Sequence, residues 1–314
     1  MKRIFIFSVT ALVCVHILTS CHKRAGEIKQ QVNIPEIKSA SAIVAENGKF
    51  YIAGKISRFI YVLDGSFAVT DSIPISSEIA SDLANGIDKR ISGLCFTRTQ
   101  KGNRLLAIEN GYKPGSDSAY LIEPETKTVF PFSLTGFYNR FRDLKIENRV
   151  NFEGICSYGN SFILTNRGNL NFRKNYLVAV PHNFYQKQDS AIFQLSKVGF
   201  NTDTSVFMGI SSPAYSFSSD CLLLVVNPEI KPQDKAGSSK IWIISNFSGM
   251  SGMSAINANR IIDLEAINTQ FKNREITGLC IQHEDKKKYQ IVLAAADSAG
   301  TTLFKLDLYK QAAK

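Results

Sequence analysis

The chain has 314 residues, of which 44% are hydrophobic, 11% aromatic and 20% charged, and it carries a formal charge of +10. That balance excludes a disordered tail, a collagen-like fibre and a multi-span membrane protein, and six cysteines are too few for a scaffold built from disulfides. The length admits one large all-β domain or two smaller ones.

Lys2-Arg3 precede a mostly apolar run from Ile4 to Ile17. A basic start followed by a short apolar stretch reads as a secretory signal, and the run is shorter than the roughly 18 apolar residues a spanning helix needs. It ends in Leu18-Thr19-Ser20-Cys21, which resembles the bacterial lipobox, where small residues precede a cysteine whose sulfur receives a diacylglyceryl group. The expected organisation is a signal peptide over 1–20, a lipidated tether over 21–31 and a folded domain over 32–310. Lipid on Cys21 would hold the protein to a membrane. His22 is not Asp and no acidic run follows, so the expected address is the outer membrane, facing the periplasm. The protein is expected to be a monomer there. Nucleic acid is not expected as a partner of an exported lipoprotein, despite the basic charge and Lys286-Lys287-Lys288, which reads as a solvated hairpin tip.

Beyond the tether one pattern recurs: a small or polar residue, Gly or Ala, an apolar residue, a turn, then an apolar run. The copies are Ser41-Ala42-Ile43 before Phe50–Ala53, and Ser92-Gly93-Leu94 before Leu105–Ile108. Three more are Glu153-Gly154-Ile155 before Phe162–Thr165, Met208-Gly209-Ile210 before Leu222–Val226, and Thr277-Gly278-Leu279 before Ile291–Ala296. In the first four copies two further β-rich runs follow, such as Phe59–Leu63 with Val69–Ile75 and Ile241–Ser245 with Arg260–Leu264. Repeated four-stranded units predict an all-β fold, a β-propeller of five four-stranded blades. A six-bladed ring, the alternative, would need about 45 residues per unit and a sixth signature. The last unit has only three runs, ending in Thr302–Leu308, and the segment Glu27–Ile37 is the expected fourth, so the N-terminal strand closes the ring. The recurrent Gly lets inner strands approach closely around the axis.

Three excursions interrupt the pattern: Ser76–Arg90, with a helical spacing of Ile79, Leu83 and Ile87; Thr135–Arg149, with Arg140, Arg142, Lys145 and Arg149; and the loop Pro228–Ser239. Cys95, Cys156 and Cys280 occupy the same place in three copies. Sheets about 10 Å apart cannot bring them within the roughly 7 Å a disulfide needs, so they are expected to be small buried residues, with Cys221 also free. His182 and His283 fall in expected loops and read as surface residues.

The segment Asn151-Phe152-Glu153-Gly154-Ile155-Cys156 with Phe162-Ile163-Leu164-Thr165-Asn166-Arg167-Gly168-Asn169 resembles the signature of the phytase-like, or esterase-like, β-propeller family and of related uncharacterised bacterial lipoproteins. The resemblance implies a propeller with a polar site at its central opening, and Glu153, Asn166 and Arg167 as the matching positions.

From the residues themselves, the second run of each unit ends in polar groups: Lys55, Glu109-Asn110, Asn166-Arg167, Asn227 and Asp297. Ser41, Ser92, Glu153 and Thr277 precede the small residue of the signature. Convergence at one channel mouth would make a site for a small anionic or glycan ligand. The alternatives are that these groups satisfy one another, with Arg167 paired to Glu153 or Glu109, or that Glu153 and Arg167 are catalytic. No cofactor is called for, except that a Ca²⁺ ion in a phosphoesterase or esterase could take Glu109, Glu153 and Asp297 among its roughly six to eight oxygens.

Overall fold

In the computed structural model the described residues are 25–310, apart from 56, 76–89, 100–101, 114, 145–149, 200–205, 230–236 and 298. The segment expected to be a signal peptide, Cys21 and most of the Ser76–Arg90 excursion lie outside them. Among the described residues no helix is long and apolar enough to cross a membrane.

Five antiparallel sheets form a propeller. Blade 1 holds β2 (Ala40–Glu46), β3 (Lys49–Gly54), β4 (Phe59–Leu63) and β5 (Val69–Pro74). Blade 2 holds β6 (Ile91–Thr99), β7 (Gly102–Glu109), β8 (Ser118–Glu123) and β9 (Thr128–Ser133). Blade 3 holds β10 (Phe152–Tyr158), β11 (Ser161–Asn166), β12 (Asn175–Pro181) and β13 (Gln194–Gly199). Blade 4 holds β14 (Phe207–Ser216), β15 (Cys221–Glu229), β16 (Lys240–Ser245) and β18 (Arg260–Asp263). Blade 5 holds β19 (Ile276–Glu284), β20 (Lys288–Asp297) and β21 (Gly300–Tyr309), and its outer strand is β1 (Gly26–Ile34) from the other end of the chain.

The pairing of Gly26 with Leu308 through Ile34 with Thr301 is the predicted ring closure. The strand starts at Gly26, so the last residues assigned to the tether belong to the sheet instead. One addition was not foreseen. The loop between β16 and β18 sends β17 (Ala255–Asn257) across to run parallel to β13, giving blade 3 a fifth strand and covering its outer edge.

The strands read as continuous apolar runs because each blade is buried on both faces. In β7, Leu105 and Ala107 face blade 1, while Leu106 and Ile108 face blade 3. The core is therefore five layers, one between each pair of neighbouring blades. The layer between blades 2 and 3 is thickened by α1 (Thr135–Asp143), the helix of the second excursion, which buries Phe137, Tyr138 and Phe141 against Phe152.

The inner strands β2, β6, β10, β14 and β19 surround the axis. A β-bulge sits at Ser41, Ser92, Glu153, Ser211-Ser212 and Thr277 in turn. This register corrects the sequence alignment of blade 4. The equivalent of Glu153-Gly154-Ile155 is Ser211-Ser212-Pro213, three residues beyond Met208-Gly209-Ile210. Ile43, Leu94, Ile155, Pro213 and Leu279 then line one end of the channel together. The close approach that calls for Gly is real at Gly154, where a Cβ would lie 2.3 Å from Pro213 Cδ and 2.9 Å from the Ser211 carbonyl. Ser212 departs from the rule, and its Oγ accepts from Leu279 N at 3.1 Å.

Candidate functional site

The two ends of the channel differ. One is lined by the ring just named, by Val44, Cys95, Cys156, Ala214 and Cys280, and by the polar Glu46, Ser157 and Tyr215. Cys95, Cys156, Cys221 and Cys280 are all buried and free, as expected. Burial pushes the thiols of Cys95 and Cys280 up to about 12.

The other end opens into a polar cavity of about 230 Å³, walled by Ser41 and Lys55 from blade 1, Arg90 and Tyr112 beside blade 2, and Asn151, Glu153, Arg167, Gly168 and Asn169 from blade 3. Glu229 of blade 4 and Glu275 and Thr277 of blade 5 complete it. The placement follows from strand register. Lys55 N donates to Ser39 O and Arg167 N to Asn151 O, so Lys55 and Arg167 take equivalent places just past their second strands. Arg90 and Glu275 stand one residue before β6 and β19.

Among the described residues, three cations and three carboxylates meet there. Arg90 Nη2 lies 2.8 Å from Glu153 Oε1. Arg167 places Nε and Nη2 each 2.6 Å from Glu229 Oε1, with Nη1 3.6 Å from Glu275 Oε1. Lys55 Nζ is 3.5 Å from Glu275 Oε2. Burial pulls the Arg167 guanidinium down, but the carboxylates of Glu153, Glu229 and Glu275 outweigh it and hold the group above its ordinary value. Gly209 makes room for this pair: a Cβ there would lie 2.6 Å from Arg167 Nε and 2.7 Å from Glu229 Oε1.

Of the residues singled out from sequence, Glu153, Arg167 and Lys55 line the cavity, as do Ser41 and Thr277. Glu109, Asn110, Asn166, Asn227 and Asp297 do not. Glu109 pairs across from Ile91 as Asn166 does from Phe152, one residue short of the Arg167 position. Alternation along a strand then turns these two away from the cavity. The buried Glu109 accepts from Ser118 N at 3.1 Å and Tyr120 OH at 3.3 Å, and Asn166 Oδ1 accepts from Asn151 N at 2.7 Å. Asn110 Oδ1 accepts from Tyr112 N at 3.1 Å. Asp297 is held by Arg274 Nη1 at 2.5 Å and Thr302 Oγ1 at 2.6 Å. Glu109, Glu153 and Asp297 therefore do not converge, and among the described residues no group of three His, Cys, Asp or Glu is placed to hold a metal. His182 is no plain surface residue, since its ring stacks on Phe162 with centroids 4.3 Å apart.

The remaining polar groups close the ring of blades. Ser41 Oγ donates to Ile91 O at 2.5 Å, Ser92 Oγ to Phe152 O at 2.5 Å and Thr165 Oγ1 to Ser211 O at 2.6 Å. Asn227 Nδ2 donates to Ile276 O at 2.8 Å and Thr277 Oγ1 to Ala40 O at 2.6 Å. Each of the five interfaces between blades is thus crossed by a side chain reaching the next inner strand. Where blades 1, 2, 4 and 5 carry a hydroxyl at the bulge, blade 3 carries Glu153, and the crossing passes to Thr165.

Residues 36–223 match a family of unknown function, DUF6929, over more than half of the chain. The chain belongs to that family. No curated protein matches it. Among solved structures it is similar to glutaminyl cyclase from Myxococcus xanthus, at 11% identity and TM-score 0.52, covering 91% of this chain and 97% of that one. It is also similar to a chain of the nidogen/laminin complex, at 9% identity and TM-score 0.44, covering 86% and 84%. The likeness to the glutaminyl cyclase, at that identity, is a likeness of fold. The propeller implied by the esterase-like resemblance therefore stands, while the family is DUF6929.

Proposed function

We propose that this protein is a lipid-anchored, exported propeller that binds a small polar ligand at one mouth of its central channel. The carrying observation is a cavity to which all five blades, or the segments beside them, contribute polar side chains, six of them charged, while among the described residues at the opposite end of the channel only Glu46 carries a charge. Pockets built from a few convergent polar groups on a rigid frame are the usual form of a ligand site. The replacement of a bulge hydroxyl by Glu153, paired to Arg90, supports the reading, because the fold alone is served by Ser or Thr at that place.

Export and anchoring rest on Lys2-Arg3, the apolar run and Leu18-Thr19-Ser20-Cys21. Mass spectrometry of the N-terminal peptide tests them: a diacylglyceryl mass on Cys21 is expected, and Cys21→Ala should release the protein from the membrane fraction. Unmodified Cys21 would sink the anchor. The ligand site is tested by calorimetric titration of purified protein with small polar compounds, with Glu153→Gln and Arg167→Ala as controls for place.

A second reading, a phosphoesterase or esterase at this mouth, is favoured by Glu153 and Arg167 lining one cavity together. Turnover of chromogenic phosphate or carboxylate esters with added Ca²⁺, lost in Glu153→Gln and Arg167→Ala, would select it over simple binding.

A further inference from the structure

Three features of the cavity narrow the chemistry of its ligand. Its charges cancel. Lys55, Arg90 and Arg167 each have a carboxylate within 3.6 Å, so an incoming anion would have to compete with Glu153, Glu229 or Glu275 for its partner. An incoming cation meets the mirror-image difficulty. Removing one partner from such a pair leaves a charge poorly compensated, which is costly in a partly buried site.

Two polar atoms of residues that line the cavity also lack a partner. Arg90 Nε and Asn151 Oδ1 are buried and make no hydrogen bond. One is a donor and the other an acceptor, and such groups in a native fold call for an explanation. A hydroxyl both donates and accepts, so it can serve either atom without bringing charge.

The third feature is Tyr112, 41% exposed on the wall of the cavity. Its loop is braced: Tyr112 N donates to Asn110 Oδ1, Gly111 N donates to Ser116 O at 2.7 Å, and Arg142 Nη2 of α1 donates to Gly111 O at 2.9 Å. The backbone that carries the ring is therefore fixed before any ligand arrives. An aromatic face beside planar amide, carboxylate and guanidinium groups suits a molecule with an apolar C–H face and hydroxyls around its edge. The volume, about 230 Å³, falls below the roughly 300–1,000 Å³ of pockets for drug-sized ligands, and is the scale of a single sugar ring.

We infer that the cavity binds a neutral carbohydrate, as one monosaccharide ring or the end of a glycan, with Tyr112 as the platform and Arg90 and Asn151 meeting its hydroxyls. The inference rests on the reading of this mouth as a ligand site and adds the class of ligand.

Calorimetric titration of the full folded protein with glucose, galactose, mannose and N-acetylglucosamine tests it. Glucuronate, inorganic phosphate and glycine betaine serve as the charged comparison. A neutral sugar should bind with an affinity nearly independent of salt, because no net charge is neutralised. Tyr112→Ala should weaken it about ten-fold and Tyr112→Phe hardly at all, since the ring and not the hydroxyl carries the contact. Asn151→Ala should weaken it comparably without lowering Tm, because Asn151 Oδ1 holds nothing in the protein. Saturable binding of glucuronate, phosphate or betaine alone, lost in Arg90→Gln, overturns the neutral class and leaves the ligand site standing. Sugar binding that neither Tyr112→Ala nor Asn151→Ala alters overturns the proposed place. Binding of none of these probes overturns the class and the ligand site together.

Discussion

Arg167 and Glu229 meet across the interface of blades 3 and 4, with Nε and Nη2 of the guanidinium both 2.6 Å from one carboxylate oxygen, over the bare Cα of Gly209. The arginine side chain is only 13% exposed. A partly desolvated pair of this kind is held by position as much as by attraction, and Gly209 supplies the position.

Gly209→Ala should therefore lower stability by about 1–3 kcal/mol, the cost of overpacking a filled site. Denaturant unfolding measures it. In an Arg167→Ala background, where the arginine atoms are gone and only the end of the flexible Glu229 side chain remains close, the same substitution should cost less. The coupling between the two sites is then the reading that matters. Equal costs in both backgrounds would mean that Gly209 is needed for another reason.

The hydrogen bonds between blades make a second prediction. Ser92→Ala and Thr277→Val each remove a donor from a buried carbonyl of the next inner strand, Phe152 O and Ala40 O. Each should cost about 1 kcal/mol or somewhat more, because the carbonyl is left unsatisfied. The two interfaces are not adjacent, so the double variant should show nearly the sum. Thermal or denaturant unfolding checks both claims, and a neutral Thr277→Val would remove the closure role assigned to that hydroxyl.

The fold was open to sequence reading because every inner strand repeats a small residue ahead of an apolar pair, and because a three-stranded last unit demanded Glu27–Ile37 as its fourth. The site was legible only in part, for reasons of parity. Glu109 and Asn166 differ from Arg167 by one residue along the strand, which is enough to turn a side chain from cavity to blade interior. Arg90 and Glu275 were missed although a signal existed: each stands three residues before the Gly of its signature, as Asn151 does. Gly209 holds the same place in blade 4, but Ser211-Ser212-Pro213 lacks the glycine that would have fixed the register, so Glu229 could not be aligned.

Acid should reveal another inter-blade contact. Burial tends to raise the Glu284 carboxyl, but hydrogen bonds from Lys310, Ser216, Ser218 and Ser219 prevail and hold it at about 2, below its ordinary 4.5. A carboxyl depressed by folding adds stability above its unfolded value and loses it as pH falls towards the folded one. The contribution should thus be complete above about pH 4.5 and fade as pH drops towards about 2. Glu284→Gln should flatten that part of the stability profile. An unchanged slope in the variant would assign the acid sensitivity to other carboxylates.

The cysteines at the end of the channel opposite the cavity give the last prediction. The thiolate, not the thiol, reacts with alkylating agents, and burial holds Cys95 and Cys280 at about 12 and Cys156 well above its ordinary value. At neutral pH the native protein should leave all three unlabelled by iodoacetamide, as read by peptide mapping, while the denatured protein labels each of them. Labelling of native Cys95 or Cys156 at the rate of a free thiol would show that reagent reaches these thiols in the folded protein.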